Sequence, residues 1–376
     1  NDSVYSRPNV VLIVMESFGR EYIGSFNKDN IIDDYKSYTP FLDSLSNHSL
    51  IFTNAFANGR QSIEALPSIL ASVPSFKVPF TSSPYANQKI QSLVSVFNEI
   101  DYSTSFFHGA PNGSMGFLGL SNILGFDNYY GKNEFNDNSL YDGYWGIWDE
   151  PFLQFMKIEI EKFKEPFFTT FFSLSSHEPF YVPEKYKDVF PKGNVQMHEV
   201  IGYSDNALKE FFEASKTQPW FDNTLFIITA DHCNQFWYPL YRAPINRFAI
   251  PIMFYHPNNS FKGVNNELSQ QIDIFPSIVD LIGYDKPINS WGRSLFSKSE
   301  DVPFSIHYSG TVYRFSMGDF NLVFDGDNVI GVYGIKDLHL ENNLINNSNI
   351  DYSKEEMYLK AFFQDYMERI IDNKLE

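Results

Sequence analysis

Cysteine is nearly absent: Cys233 is the one thiol in 376 residues, so no intramolecular disulfide can form. It also matches no zinc-binding spacing. Positive charge is scarce, with 28 Lys and Arg against 46 Asp and Glu, a formal charge of −18. That balance argues against a nucleic-acid partner, because affinity for a phosphate backbone rests on Lys and Arg. No apolar run approaches the roughly 20 residues that span a bilayer, and no signal peptide is visible. Internal repeats and low-complexity linkers are missing as well. The sequence opens at Asn1 rather than Met, which leads us to expect a segment removed upstream, with room for a membrane anchor.

What is present is a large apolar complement: 43% of residues, including 38 Phe and 23 Tyr. This is the composition of a globular chain whose length does not limit its core. Continuous apolar runs bounded by polar residues read as strands buried on both faces of a parallel sheet. One is Leu225-Phe226-Ile227-Ile228, which rises through Thr229-Ala230 and stops at Asp231-His232. Asn9–Met15 is a second, ending at Glu16-Ser17. Ser103–Phe107 ends at His108-Gly109, and Phe167–Ser173 runs on to His177. Ile51–Ala55 and Ile250–Tyr255 are further strand candidates.

Helical spacing places helices over Ile90–Ile100, Pro151–Lys164, Val200–Ala214 and Ile272–Ile282. Ile63, Leu66, Ile69 and Leu70 mark another. Because Pro67 is tolerated only near a helix start, that helix is expected to begin close to Ser62. From about Ser309 the texture changes to short, turn-separated strands over Thr311–Phe315, Phe320–Phe324 and Val329–Tyr333. Ser353 with Glu356 forms a capping-box pattern that opens a last helix to Ile371.

In open α/β sheets the chemistry gathers at the carboxyl ends of the strands. Four strands pointing one way would bring Glu16, His108, His177, Asp231 and His232 to one edge, with Ser62 nearby at a helix N-terminus that favours anions. Taken singly, each residue has an ordinary structural explanation: Ser62 as an N-cap, Glu16 as a salt-bridging carboxylate, Arg60 as a surface charge. Their coincidence is what argues for a site. Two carboxylates and an imidazole suit Mn²⁺ or Zn²⁺ better than Ca²⁺. A metal beside the Ser62 hydroxyl would lower its pKa and make it a nucleophile.

In order and spacing these residues resemble the alkaline phosphatase superfamily, and more closely its lipoteichoic acid synthase branch of phosphoglycerol transferases. The matching pieces are NVVLIVMES at 9–17, TPFLDSL at 39–45, ANGRQSIEALPSIL at 57–70 and FFHG at 106–109. SLSSHEPF at 173–180, ITADH at 228–232, IDIFPSIVDLIG at 272–283 and WGRSLF at 291–296 complete the set. DLHLENNL at 337–344 is a weaker match. The resemblance implies a three-layer α/β/α sandwich with a mostly parallel central sheet, over residues 1–308. A small antiparallel α+β appendage over 309–376 would follow.

The resemblance further implies one divalent metal, Mn²⁺ ahead of Zn²⁺ or Mg²⁺, held by Glu16, Ser62, Asp231 and His232. Ser62 stands where the family usually has a nucleophilic threonine. His108 and His177 match positions that contact the phosphate or the leaving group, and Arg60 is a candidate for assisting them. Implied partners are an anionic phospholipid donor and a glycan or lipid acceptor. Implied location is the extracytoplasmic face of a bacterial membrane, through an N-terminal anchor. Two features depart from the family. The loop Asn112–Phe117 lacks the Trp-Asn-Arg segment that grips glycerol phosphate, and Ser62 lacks the Cys/Ser-x-Pro-x-Arg context of sulfatases. A phosphodiesterase, a phosphoethanolamine transferase or a sulfatase-like hydrolase is therefore the alternative, and a binding protein without turnover the second.

Overall fold

The computed structural model describes residues 7–297 and 302–376; most of the polar lead-in expected at Asn1–Pro8 lies outside them. Nine strands form the main sheet: β1 (Asn9–Met15), β2 (Ser49–Phe56), β3 (Ser103–Phe107), β4 (Asn128–Tyr130), β5 (Phe167–Phe172), β6 (Thr224–Ala230), β7 (Ala249–Tyr255), β8 (Gly263–Asn265) and β9 (Ser269–Gln270). Across the sheet they run β4-β3-β5-β1-β6-β7-β2-β8, with β9 also on β2. The four strands expected to point one way do so: β1 pairs β5 and β6 in parallel, and β3 pairs β5 in parallel. β7 is antiparallel to both β6 and β2, a reversal that its uninterrupted apolar pattern does not encode.

β1 shows why the sheet must be covered twice. Val10, Leu12 and Val14 join the core cluster on one face, with helices Ser62–Ala71, Leu93–Glu99 and Ile274–Leu281. Val11, Ile13 and Met15 join the other, with Asp149–Ile160 and Met197–Ser215. Alternate side chains of one strand thus feed two cores, and helix, sheet and helix make three layers.

Helix ends differ from expectation where local hydrogen bonds set them. The second helix on the first face starts at Leu93 rather than Ile90, because the Ser92 hydroxyl accepts the Ser95 N–H at 3.1 Å as its cap. Ile272 falls in a 3₁₀ turn, Gln271–Asp273, before its helix.

The C-terminal region is a separate antiparallel sheet, β10 (Phe304–Tyr308), β11 (Tyr313–Met317), β12 (Phe320–Phe324) and β13 (Val329–Gly334). Its first strand lies before residue 309 and was not anticipated. The strand expected over Thr311–Phe315 is displaced to Tyr313–Met317, since Ser309 and Val312 close the intervening turn with an N–H···O bond of 2.9 Å. The last helix, Ser353–Ile371, is not opened by the expected capping box: Asp351 Oδ1 accepts the Ser353 N–H at 3.0 Å instead. Its Leu359 is buried against this sheet, while Tyr366 and Ile370 join the main core. The Tyr366 hydroxyl donates to the Pro74 carbonyl at 2.9 Å, so the helix ties the two sheets together.

Candidate active site

The carboxyl ends of β1 and β6 are adjacent, and their continuations form the centre of the site. The Asp231 N–H donates to the Met15 carbonyl at 3.2 Å, carrying the ladder one residue past the strands. Ser17 then turns the chain with a left-handed φ of 56°, unusual for a residue with a side chain. Its N–H donates to Asp231 Oδ1 at 2.6 Å, and the same oxygen accepts the His232 N–H at 2.6 Å. One carboxylate oxygen therefore fixes both strand ends. Gln271 adds a second tie: its amide donates to the carbonyls of Ala230 and Asp231, and its oxygen accepts the Asn58 N–H at 2.9 Å. This couples β6 to the loop that delivers Ser62.

Ser62 is the first residue of the helix Ser62–Ala71, and the chain is held there by Glu64 Oε2, which accepts the N–H groups of Arg60 and Gln61. The Ser62 hydroxyl donates to Glu16 Oε2 at 2.9 Å and lies 3.4 Å from His232 Nε2. His232 Nε2 is 3.3 Å from Asp231 Oδ2 and 3.7 Å from Glu16 Oε1. His232 Nδ1 is 3.0 Å from the Cys233 carbonyl, so Nε2 is the ring atom turned to the carboxylates.

Whether these groups fit a metal can be judged from the cluster itself. Ligand atoms of Glu16, Asp231 and His232 lie within 4.8 Å of one another. Asp231 is fully buried, and its Oδ2 has no hydrogen-bond partner. Burial, with the charge of Glu16 added, pushes Asp231 up to about 8. Burial also works against ionised Glu16, yet the charges of His232 and His177 hold it below its ordinary value. Without a cation the two carboxylates cannot both ionise comfortably, and an orphaned buried oxygen is an expensive feature to keep. A divalent cation would satisfy both, and the mixed oxygen and nitrogen donors suit one.

The two sides of this cluster differ. On one, Glu16, His108, Met115, Phe117, Trp145 and His177 line a small, mostly apolar cavity of about 20 Å³. His108 is buried, its Nδ1 is 3.0 Å from the Phe172 carbonyl, and burial holds its pKa down to about 4. It is therefore a neutral imidazole. The His177 ring packs 4.1 Å from that of Trp145, and Asp149 holds the His177 loop by accepting the N–H groups of Leu174 and Ser175. On the other side, a cavity of about 240 Å³ is lined by Arg60, His232, Cys233, Asn234, Phe236 and Arg247. The Cys233 thiol donates to the Ala249 carbonyl at 3.1 Å. A wider cleft of about 860 Å³ opens nearby, between Phe180 and Tyr181 on one bank and Asn234 and Phe236 on the other.

Glu16, Ser62, Asp231 and His232 thus meet at one point, with His108 and His177 flanking one side and Arg60 the other. Sequence reading missed the supports. Ser173 accepts the Glu16 N–H at 2.7 Å, and Ser176 donates to the Glu16 carbonyl. Both lie within the run SLSSHEPF, where two serines before a strand-end histidine were an available signal. Gln271, Trp145 and Arg247 carried none, because each arrives from a distant segment.

Comparison with known proteins gives a consistent picture. The family model described as Sulfatase matches residues 8–284. Lipoteichoic acid synthase 1 of Bacillus subtilis is 25% identical over 339 residues, 80% of this chain and 51% of that protein. The Staphylococcus aureus lipoteichoic acid synthase is 26% identical over 330 residues, 80% of this chain and 50% of that protein. The chain therefore spans about half the length of the curated relatives it matches. A solved protein of the alkaline phosphatase superfamily from Vibrio parahaemolyticus superimposes with a TM-score of 0.81 at 22% identity, covering 96% of this chain and 88% of that one. Lipoteichoic acid synthase LtaP from Listeria monocytogenes gives 0.76 at 18% identity, covering 96% and 92%.

Proposed function

The chain belongs to the sulfatase family, and from that premise we propose that it is a metal-dependent phosphoglycerol transferase. Its donor would be an anionic phospholipid and its acceptor a glycan or lipid hydroxyl. The observation that carries this reading is the Ser62 hydroxyl, hydrogen-bonded to Glu16 at 2.9 Å in a cluster whose Asp231 Oδ2 has no partner. The lipoteichoic acid synthase relatives supply the substrate class.

One divalent cation, which we take as Mn²⁺ before Zn²⁺ or Mg²⁺, would be held by Glu16, Ser62, Asp231 and His232, acidify the serine hydroxyl and neutralise charge on the phosphoryl oxygens. Ser62 Oγ gives up its proton to solvent and forms the new bond to phosphorus as the bond to the departing lipid alcohol breaks. His177, the less enclosed of the two histidines, gives that oxygen its proton. His108, neutral and with Nδ1 turned to Phe172, offers Nε2 as an acceptor to a substrate hydroxyl. The phosphoglyceryl group then passes from Ser62 to an acceptor hydroxyl, whose proton returns to His177 as the Ser62–phosphorus bond breaks. The cleft between Tyr181 and Phe236 gives that acceptor room. Arg60, beside His232 in the cationic cavity, steadies the transferred anion.

The same reading places the domain on the extracytoplasmic face of a bacterial membrane, held by an anchor. Among the described residues no helix is long and apolar enough to cross one. A hydrolase remains the second reading, since water in the open cleft could replace the acceptor.

Competition between headgroups tests the assignment. Purified protein with Mn²⁺ is given phosphatidylglycerol, phosphatidylethanolamine and an aryl sulfate in separate reactions. Release of diacylglycerol from phosphatidylglycerol alone is expected. Preferred turnover of the ethanolamine lipid or the sulfate would overturn the donor assignment.

A further inference from the structure

The helix Met197–Ser215 borders two openings with one face. Glu199, in its first turn, lines the 860 Å³ cleft that Asn234 and Phe236 border. Gly202, Asn206, Lys209 and Glu213 follow at spacings of three and four residues, so they continue the same face. They line a second cavity, of about 820 Å³, bounded on its other bank by Tyr38, Phe41 and Tyr255. Between Glu199 and Glu213 the helix rises roughly 21 Å.

A second wall is shared in the same way. In the segment 190–196, Phe190 and Pro191 edge the cavity, and residues 192–196 edge the cleft. Gly202 lets this segment lie on the helix, since a Cβ there would come within 3.1 Å of that of Phe190. The segment is also anchored. The Asn194 N–H donates to His198 Nδ1 at 2.8 Å, and the His198 ring stacks on Tyr38 with 3.9 Å between ring centres. Cavity and cleft thus form one track. Asn234 and Phe236, at its near end, also line the cavity that contains His232.

The polar groups of the 820 Å³ cavity are largely committed already, which limits what it can take. The buried Asp205 carboxylate accepts the Phe41 N–H at 2.8 Å and the Leu42 N–H at 2.9 Å. Asp43 accepts the Ser25 N–H at 2.7 Å and the Ser37 hydroxyl. Lys216 pairs with Glu213 at 2.6 Å, and His48 Nδ1 lies 3.0 Å from Asn259 Oδ1. A sugar or a phosphate would find few free partners here. The rings of Tyr38, Phe41, Phe212 and Tyr255, with Pro40 and Pro257, offer apolar surface instead. An elongated apolar chain, which asks for no hydrogen bonds, matches both facts.

We propose that this track holds one acyl chain of the lipid donor, extended along the helix Met197–Ser215 from the catalytic cleft into the 820 Å³ cavity. The proposal rests on the reading of the donor as a phospholipid. It makes chain length, and not the headgroup alone, a determinant of donor choice.

Donors short enough to stay monomeric test it. Wild type with Mn²⁺ is given glycerophosphoglycerol and phosphatidylglycerols with chains of four to eight carbons, each below its micelle concentration. KM is expected to fall about two- to fourfold for each carbon added per chain, the factor for burying one methylene. Asn206→Trp fills the track from a half-buried position, and its melting curve will show whether it is folded. In this variant KM should change less than about twofold per carbon. Lys209→Trp, at an exposed position one turn further on, should flatten the dependence only for the longer chains. A wild-type KM that ignores chain length, or a dependence retained in full in both variants, would overturn the proposal. Absence of turnover with every donor would count against the proposed function. Calorimetric binding of the same lipids, read for the same dependence on chain length, would still judge the track.

Discussion

The two walls of the active site solve different problems with different side chains. The wall of His108, His177, Met115, Phe117 and Trp145 is tight, mostly apolar and, at His108, neutral. The opposite wall of Arg60, Arg247 and Asn234 is wider and cationic. On the proposed reading a departing alcohol needs a proton and a dry place to break its bond, and the first wall would provide both. A phosphate needs fixed positive charge, which on the same reading the second wall would provide. The reacting phosphorus would lie between them, at the cluster of Glu16, Ser62, Asp231 and His232. The difference makes the proposed proton-transfer groups separable from the cationic ones, so substitutions on each wall should fail in different ways.

The largest effect should come from the shared centre, where neither wall can compensate. Ser62→Ala is expected to lower turnover by roughly 10⁴-fold or more, as loss of a covalent nucleophile does. Diacylglycerol release would be measured. Stripping the metal with chelator should abolish activity on every donor and lower the melting temperature, and added Mn²⁺ should restore both.

Next in size are the proton-transfer groups of the apolar wall. His177→Gln should cost about 10²–10⁴-fold on a lipid donor. With a p-nitrophenyl phosphodiester, whose leaving group needs no proton, the loss should shrink to a few-fold. An equal loss on both donors would remove His177 from the proton-transfer role.

A third test concerns the loop that holds His177 in place. Burial raises Asp149 to about 7, against the pull of the Leu174 and Ser175 N–H groups. A carboxyl whose pKa is higher folded than unfolded stabilises the fold at low pH. That contribution is complete below the unfolded value near 3.8 and disappears as pH rises through about 7. Urea melts should therefore show stability falling less steeply between these values in Asp149→Asn than in wild type. Parallel profiles would show that Asp149 does not titrate in this range.

The smallest effect is expected for Trp145→Phe, which keeps an aromatic ring against His177 but removes the indole donor to the Glu178 carbonyl. A three- to tenfold loss in kcat/KM, about 0.7–1.4 kcal/mol, matches the usual size of such a contact.

The apolar wall was largely legible in the sequence and the cationic wall was not, for a physical reason. His108 and His177 follow strands that announce themselves as apolar runs, and parallel strands bring their ends to one edge whatever the rest of the chain does. Asp231, His232 and Glu16 were readable in the same way. Arg247 sits in a 3₁₀ turn and Arg314 on an inner strand of the second sheet, so no local pattern relates them to Arg60 or to each other. Their meeting depends on how the C-terminal sheet docks, which is tertiary information. The reversed direction of β7 and the unexpected strand β10 escaped for a similar reason. Burial gives a strand its apolar run without a direction, and β10 places Ser305 and His307 in buried positions where apolar residues are the norm.

The central claim is that Ser62 carries the transferred group. Intact-mass spectrometry of wild type and Ser62→Ala, after incubation with Mn²⁺ and phosphatidylglycerol, tests it directly. A phosphoglycerol-sized adduct on wild type alone is the predicted result. Diacylglycerol release by wild type without an adduct even in rapidly quenched samples, or release retained in Ser62→Ala, would contradict it.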